Sequence, residues 1–200
     1  MCTNLGRWFV KARTSADFPI RIDYIPKDAL GLTEGSGTLG MTFAPGMKDI
    51  GWDRDMKTDM QHLREYWKTG VLVSLIEGHE YGVYEMEDYA EEARAAGISV
   101  EEFPIVDVNV PREEQVEEYA DLVGRIIGFL REGRNTVVHC RGGIGRTGTV
   151  AASVLVGLGH DAEEAIRIVR ASRSPRMLEA YSQEEYVREF AKRYRGQWSG

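Results

Sequence analysis

The chain has 200 residues, of which 42% are hydrophobic and 28% are charged. This length suits one domain with a single core, and this composition is unlike that of a disordered chain. The formal net charge of −7 disfavours nucleic acid and anionic membranes as partners, because both repel an acidic surface.

The first half of the chain alternates strand-like and helix-like segments. Residues 1–38 are expected to form an irregular, β-rich extension. Glycines that follow the helix-like segments, Gly70 and Gly97, are typical of helix C-caps. In chain order, the predicted elements are strands at 20–25 and 38–43, a helix at 54–68, a strand at 71–76, a helix at 85–96 and a strand within 98–108.

The clearest helix of the second half follows Pro111. Its apolar residues form one continuous stripe from Val116 to Leu130. Capping-box spacing at Asp161 and at Ser182 predicts two further helices of about ten residues each. Strands that alternate with helices predict an α/β fold with a mainly parallel central sheet flanked by helices.

The most specific feature is the turn H-C-R-G-G-I-G-R-T at 139–147, between a predicted strand at 136–138 and a predicted apolar helix at 149–158. Such a glycine-rich turn leaves backbone N–H groups free to bind a phosphate-sized dianion at the positive end of the helix dipole, without a metal ion. The same field favours the thiolate form of Cys140. Arg146 can close this cradle with a planar fork that matches two phosphoryl oxygens.

Cys140 and Arg146, with five residues between them, resemble the signature of cysteine-dependent protein phosphatases, the tyrosine and dual-specificity group. The order of V-L-V-S-L-I, F-P-I-V-D-V-N-V-P and Q-E-E-Y-V-R-E-F is similar to that in kinase-associated phosphatases, the dual-specificity members that act on cyclin-dependent kinases. The resemblance covers about residues 39–194. It implies a single phosphatase domain over residues 1–200, with a phosphotyrosine-phosphatase-like fold and with 1–38 as an N-terminal extension.

The resemblance also implies the roles of the loop residues. Cys140 is the predicted nucleophile that forms a phosphocysteine, and the Thr147 hydroxyl is expected to hydrogen-bond the sulfur and ease its departure. No metal ion and no organic cofactor are expected to take part. The predicted phosphate-binding residues are Arg141, Gly142, Gly143, Ile144, Gly145 and Arg146.

The reaction also needs an acid that protonates the leaving oxygen. Asp107 is the candidate, because it follows an apolar strand, precedes a helix and lies 33 residues before Cys140, a spacing that resembles dual-specificity phosphatases. His139 is predicted to have a structural and electrostatic part, with its ring bonded to nearby backbone. Two side chains have two interpretations each: Gln183 positions water or lies in a helix turn, and Arg173 braces the loop or is a helix-end cation.

The predicted activity is hydrolysis of phosphotyrosine and phosphoserine or phosphothreonine. A phosphatase of inositol phosphates or other small phosphorylated metabolites is the alternative, because lipid phosphatases also carry a basic residue in the place of Arg141. Those enzymes usually have a lysine where this chain has Ile144. A non-catalytic phosphoprotein-binding module would have lost Cys140, Arg146 or Asp107, and all three are present.

Two cysteines, Cys2 and Cys140, argue against a disulfide framework and for a reducing compartment, so the chain is expected to be cytoplasmic. The expected partner is a phosphoprotein or a small phosphorylated substrate, with no nucleic acid and no membrane. The sequence leaves open the oligomeric state, the physiological substrate and any redox role of Cys2.

Overall fold

The computed structural model describes residues 11–200, so Cys2 and the start of the predicted extension lie outside the described part. The strands of this part are β1 (Arg13–Thr14), β2 (Asp23–Tyr24), β3 (Leu39–Phe43), β4 (Lys48–Asp49), β5 (Trp52–Asp53), β6 (Val71–Ser74), β7 (Ser99–Glu102) and β8 (Thr136–Cys140). The α-helices are α1 (Lys27–Leu30), α2 (Met56–Glu65), α3 (Gly78–Val83), α4 (Tyr89–Ala95), α5 (Val116–Arg131), α6 (Gly145–Gly157), α7 (Ala162–Ser172) and α8 (Tyr181–Tyr194).

Five strands form the central sheet, in the order β2-β3-β8-β6-β7. Four of them are parallel, and β2 is antiparallel to β3 at one edge. The predicted α/β class with a mainly parallel sheet is confirmed. The register of β3 and β8 pairs Phe43 with Cys140, which places both residues at the carboxyl edge, where ligands bind in such sheets.

Helices cover both faces of the sheet. Val71 and Val73 pack into a core formed with α5, α6, α7 and α8, whereas Leu72 and Val137 pack into a second core with α2 and α4. Strands that are covered on both faces need apolar residues at every position, which explains the near-continuous apolar sequence of β6. Every residue of α6 is buried, so the helix that follows the glycine-rich turn is enclosed by its neighbours.

A small sheet, ordered β1-β5-β4, lies beside the main one. The fully buried Arg54 guanidinium holds it in place: it donates to both carboxylate oxygens of Asp59, at 3.0 and 2.6 Å, and lies over the Phe43 ring at 5.1 Å. Asp59 also accepts from the Gly46 N–H at 3.0 Å. Loss of either charged partner would leave a buried charge unpaired, at a cost of about 3–5 kcal/mol.

Helix starts differ in how closely they follow the predictions. The Asp161 carboxylate accepts from the Glu164 N–H at 2.8 Å and caps α7, as its spacing predicts. The predicted start of the last helix at Ser182 is wrong, because Ala180 is the N-cap and α8 runs for 14 residues. Helix α3 was not predicted; Gly78 opens it, and its six residues are too few to show a helical period.

Within residues 11–200, no helix has both the length and the apolar character needed to cross a membrane.

Candidate active site

Cys140 ends β8, and the loop of residues 141–144 leads from it directly into α6. Gly143 has a φ of +66°, and a Cβ there would collide with the Thr42 carbonyl and the Arg173 guanidinium. Only glycine therefore allows the loop to turn this tightly against β3. Cys140 itself is 3% exposed, at the end of β8 where the loop begins.

The carbonyl groups of this loop all point away from its interior. The Arg141 carbonyl accepts from the Ala44 N–H at 3.0 Å, and the Ile144 carbonyl accepts from the Gly148 N–H at 3.0 Å. The Gly143 and Gly142 carbonyls accept from the Arg173 side chain at 2.7 and 3.4 Å. Within the described chain, the N–H groups of residues 142–144 donate no hydrogen bond. They remain available as donors for an anion at the N-terminus of α6.

Arg173 is therefore a brace for the loop, one of its two predicted interpretations. Besides the two loop carbonyls, its guanidinium donates to the Met41 carbonyl at 3.2 Å and to Asp23 at 2.7 Å. These bonds connect the loop to β2 and β3 and so support its shape.

Arg146 lies in the first turn of α6 with its side chain fully buried. Its Nη1 donates to Glu80 at 2.6 Å and to the carbonyls of Ile105 and Leu75 at 3.0 and 3.2 Å, and its Nη2 donates to Glu80 at 3.1 Å. Burial alone would lower the pKa of Arg146, but the hydrogen bonds and the charge of Glu80 more than offset it and raise that pKa. Its Nε is buried and has no partner among residues 11–200. One edge of the guanidinium is thus fixed and the Nε edge is free to donate.

Glu80 was not predicted to belong to the site. It lies in α3, 66 residues before Arg146. Burial is the largest single influence on the pKa of Glu80 and raises it, but the hydrogen bond and charge of Arg146 together with a backbone hydrogen bond at Glu77 more than offset burial, so the pKa is lowered. The sequence around Glu80 carries no spacing signal that would connect it to the loop.

The predicted acid does reach the loop. The Asp107 carboxylate is 2.8 Å from Nη2 of Arg146, and its side chain is 45% exposed. The next residue, Val108, has a φ of +58°, which is rare for a β-branched residue and marks a strained turn. The buried Gln183 amide donates to the Asn109 carbonyl at 3.1 Å and so supports this turn from α8.

The Thr147 hydroxyl and the Arg141 side chain have different surroundings in the structure. The Thr147 hydroxyl is buried without a hydrogen-bond partner within residues 11–200, so the structure shows no bond to the Cys140 sulfur. The Arg141 side chain leaves the loop and pairs with Asp49, with a bond of 2.9 Å from its Nε. Only the backbone of Arg141 therefore remains beside the anion-binding donors, while Ile144 and Gly145 lead into α6.

His139 is buried in β8, the middle strand of the central sheet. Its Nε2 lies 2.6 Å from the Tyr89 hydroxyl, so a side chain is one partner of the ring. Burial, with a smaller contribution from the Arg146 charge, lowers the pKa of His139 to about 3, although a hydrogen bond with the Cys140 backbone acts in the opposite direction. The imidazole is therefore neutral at physiological pH, in agreement with a structural part.

Comparison with known proteins places these features in context. A family model described as "Polymorphic toxin system, DSP-PTPase phosphatase" matches residues 45–160. Cyclin-dependent kinase inhibitor 3 of Rattus norvegicus is 27% identical over 174 residues, which cover 86% of this chain and 79% of the relative.

Solved structures show the same fold. Kinase associated phosphatase, with serine in place of its catalytic-site cysteine, matches with a TM-score of 0.80 and 23% identity over 88% of this chain and 96% of that chain. The active form of Tk-PTP matches with a TM-score of 0.64 and 26% identity over 80% of this chain and 95% of that chain.

Proposed function

This chain belongs to the DSP-PTPase phosphatases, and from this premise we propose that Cys140 is its nucleophile and Asp107 its general acid. It is a cysteine-dependent phosphate monoester hydrolase of the dual-specificity protein phosphatase type. The comparisons do not favour the inositol-phosphate alternative over this activity.

The loop donors carry this assignment. Free N–H groups at residues 142–144, the free Nε of Arg146 and the Cys140 thiol all belong to the segment 140–146, at the N-terminus of α6. Three equatorial phosphoryl oxygens need such a set of donors, and a positive site of this kind also favours the thiolate. Because Arg173 and Glu80 hold these groups before substrate binds, little reorganisation is needed during the reaction.

In the first step, the Cys140 thiolate attacks phosphorus. A sulfur–phosphorus bond forms, the bond to the seryl, threonyl or tyrosyl oxygen breaks, and the leaving oxygen takes the proton of Asp107. The Asp107 carboxylate lies 2.8 Å from Nη2 of Arg146, which places it beside the phosphoryl group that Arg146 binds and so close to the leaving oxygen.

In the second step, the Asp107 carboxylate accepts a proton from water, and the water oxygen attacks the phosphocysteine. The sulfur–phosphorus bond breaks, inorganic phosphate leaves and the thiolate is regenerated. Thr147 is the donor proposed for the departing sulfur, because its buried hydroxyl has no other partner in the described chain. The Gln183 amide lies beside the Asp107 turn and is in reach to orient the water.

We propose a phosphoprotein as the substrate and a reducing compartment, such as the cytoplasm, as the place of action. The relative from rat is named for a kinase partner, and the acidic net charge of this chain does not suit nucleic acid or an anionic membrane. A thiol nucleophile must also remain reduced to act.

A substrate panel tests the proposal. The wild-type protein should release phosphate from phosphotyrosine, phosphoserine and phosphothreonine peptides, and a chelator should leave the rate unchanged. The Cys140→Ser protein should lose turnover and keep its affinity for phosphopeptides, since the loop donors and Arg146 remain. Turnover by Cys140→Ser, loss of activity with the chelator, or exclusive hydrolysis of soluble inositol phosphates would contradict it.

A further inference from the structure

Within residues 11–200, seven large apolar side chains are exposed to solvent. Five of them lie within two residues of a side chain that contacts the segment 141–146 or the Asp107 turn. These five, which we call the apolar rim, are Ile50, Val83, Val106, Val108 and Tyr181. A single exposed apolar residue is common on a soluble protein, but several around one site indicate a binding surface.

Two members of the apolar rim border the phosphate loop. Ile50 is 97% exposed and follows Asp49, whose carboxylate pairs with Arg141. It also lines a cavity of about 480 Å³ beside the loop. Val83 precedes Tyr84, whose ring centroid lies 5.5 Å from the Arg141 guanidinium. Both side chains therefore belong to the surface next to the loop, although both are distant from it in sequence.

The other three members border the acid. Val106 and Val108 lie on either side of Asp107, the residue that reaches the loop. Tyr181 opens α8, two residues before the Gln183 amide that supports the Asp107 turn. The apolar rim therefore adjoins both the anion-binding donors and the group that protonates the leaving oxygen.

The fold explains why these residues gather at one edge of the sheet. Ile50, Val83 and Val106 lie in the segments that follow β3, β6 and β7, at the carboxyl edge that also carries the loop. The two remaining exposed apolar residues lie elsewhere. Tyr66 follows α2 shortly before β6 begins, at the opposite edge, and Phe18 lies beside β1 of the small sheet. Exposed apolar surface is therefore concentrated around the site.

A phosphorylated protein segment is the partner that fits this arrangement. An extended chain advances at most about 3.6 Å per residue, so the neighbours of a phosphorylated residue held by the loop reach the surface that borders it. Large apolar side chains at those positions lose contact with water on the rim, which favours binding. A soluble inositol phosphate has no such groups, and the net charge of −7 repels an anionic membrane.

We propose that the apolar rim binds the residues next to the phosphorylated residue of a phosphoprotein and selects large apolar side chains at those positions. This inference rests on the proposed function and narrows its substrate class. The rim contacts the chain around the phosphoryl group and takes no part in the chemistry. Its selection should therefore appear in KM and leave kcat nearly unchanged.

Matched phosphotyrosine peptides test this selection. They differ only at the two positions on each side of the phosphotyrosine, which carry leucine, glutamine or glutamate. The leucine peptide should have a KM roughly tenfold lower than the glutamine peptide, the equivalent of about 1.4 kcal/mol. The advantage should persist at high salt, because ions do not screen apolar burial, and the glutamate peptide should have no advantage.

Two exposed tyrosines provide a matched pair of variants. Tyr181→Ser removes a member of the rim and should reduce the leucine advantage by roughly threefold. Tyr66→Ser makes the same change at the opposite edge of the sheet and should keep the advantage. Both variants should hydrolyse a small aryl phosphate at the wild-type rate. If Tyr181→Ser has a lower melting temperature, Ile50→Ser gives the same comparison in the turn between β4 and β5.

Binding of the same peptides to Cys140→Ser separates this inference from the proposed function, because it does not need turnover. Tighter binding of the leucine peptide supports the rim even if wild-type protein does not hydrolyse it. Hydrolysis of all three peptides with equal KM values overturns the inference and leaves the proposed function intact. The inference is also overturned if the leucine advantage survives both Tyr181→Ser and Ile50→Ser, or if sedimentation finds wild-type dimers that these two substitutions dissociate, since a second copy would then cover the rim.

Discussion

Arginine side chains have opposite surroundings in the phosphate loop and in the cavity beside it. Arg146 is completely buried and donates to Glu80 and two carbonyls. Arg21, which lines the cavity beside the loop, is 79% exposed. A reacting phosphoryl group requires donors fixed within a fraction of an ångström, because misplacement raises the barrier. A group that only selects the substrate tolerates a mobile, solvated partner. Burial therefore distinguishes the arginine that is fixed for the chemistry from the arginine that remains mobile at the surface.

Asp107 contacts the buried Arg146 but is itself 45% exposed. Its loss should have the largest effect on the rate. Asp107→Asn should slow a phosphothreonine peptide by about 10²- to 10⁴-fold, the usual worth of a positioned proton transfer. An activated aryl phosphate should lose less, because its leaving group needs little protonation. The kcat/KM values for the two substrates test this difference, because kcat/KM reports the first step and not the slow hydrolysis of the intermediate.

The pH dependence sharpens this prediction. The wild-type profile should be bell-shaped, with a rising limb that needs the Cys140 thiolate and a falling limb that needs protonated Asp107. The Asp107→Asn protein should keep the rising limb and lose the falling one. Equal losses on both substrates, with the falling limb intact, would assign the acid to another carboxylate.

The same substitution, arginine to lysine, tests the contrast between a buried and an exposed arginine. Arg146→Lys keeps the charge beside Glu80 but removes the fork, so kcat/KM should fall by about 10²- to 10³-fold, as for loss of one transition-state donor. Arg141→Lys makes the same change on a side chain that points to Asp49, and it should cost no more than a few-fold. Similar losses for the two variants would remove the distinction.

The residues that carry out the chemistry were more predictable from the sequence than the residues that hold them in place. Cys140, the glycines and Arg146 are adjacent in sequence, and Asp107 is found from its place after a strand. The partners that orient them come from distant segments: Glu80 is 66 residues from Arg146, and Asp49 is 92 residues from Arg141. Such contacts depend on how strands and helices pack, and a local pattern carries no information on them.

Local patterns do predict those parts of the fold that depend on neighbouring residues. The parallel sheet follows from alternating apolar strands and amphipathic helices, and the covered strands β6 and β8 are recognisable by composition alone. The start of α8 at Tyr181 was missed because Gln183, three residues after the N-cap Ala180, closes the turn with its side chain at 3.3 Å, where the sequence suggests a serine cap.

A smaller effect concerns the stability of the buried region. His139 stays neutral down to about pH 3 in the folded protein, whereas an unfolded histidine takes up a proton near pH 6.5. Between these values the unfolded state binds more protons, so the free energy of unfolding should fall as pH decreases, by up to about 1.4 kcal/mol per pH unit.

Denaturant titrations at several pH values isolate this contribution. His139→Gln should show a weaker loss of stability between pH 6.5 and 4 than wild type, while His79→Gln, on an exposed residue, should match wild type. Identical pH dependence in the two variants would mean that His139 is protonated in the folded state.

Detection of the phosphocysteine tests the central claim most directly. With an activated aryl phosphate, Asp107→Asn should form the intermediate readily and hydrolyse it slowly, because only the second step then needs the missing group. Acid quenching in the first turnovers, followed by mass spectrometry of the peptides, should find one phosphoryl group on Cys140 together with a burst of the released phenol. Absence of a covalent intermediate, or a phosphoryl group on any other residue, would contradict the account.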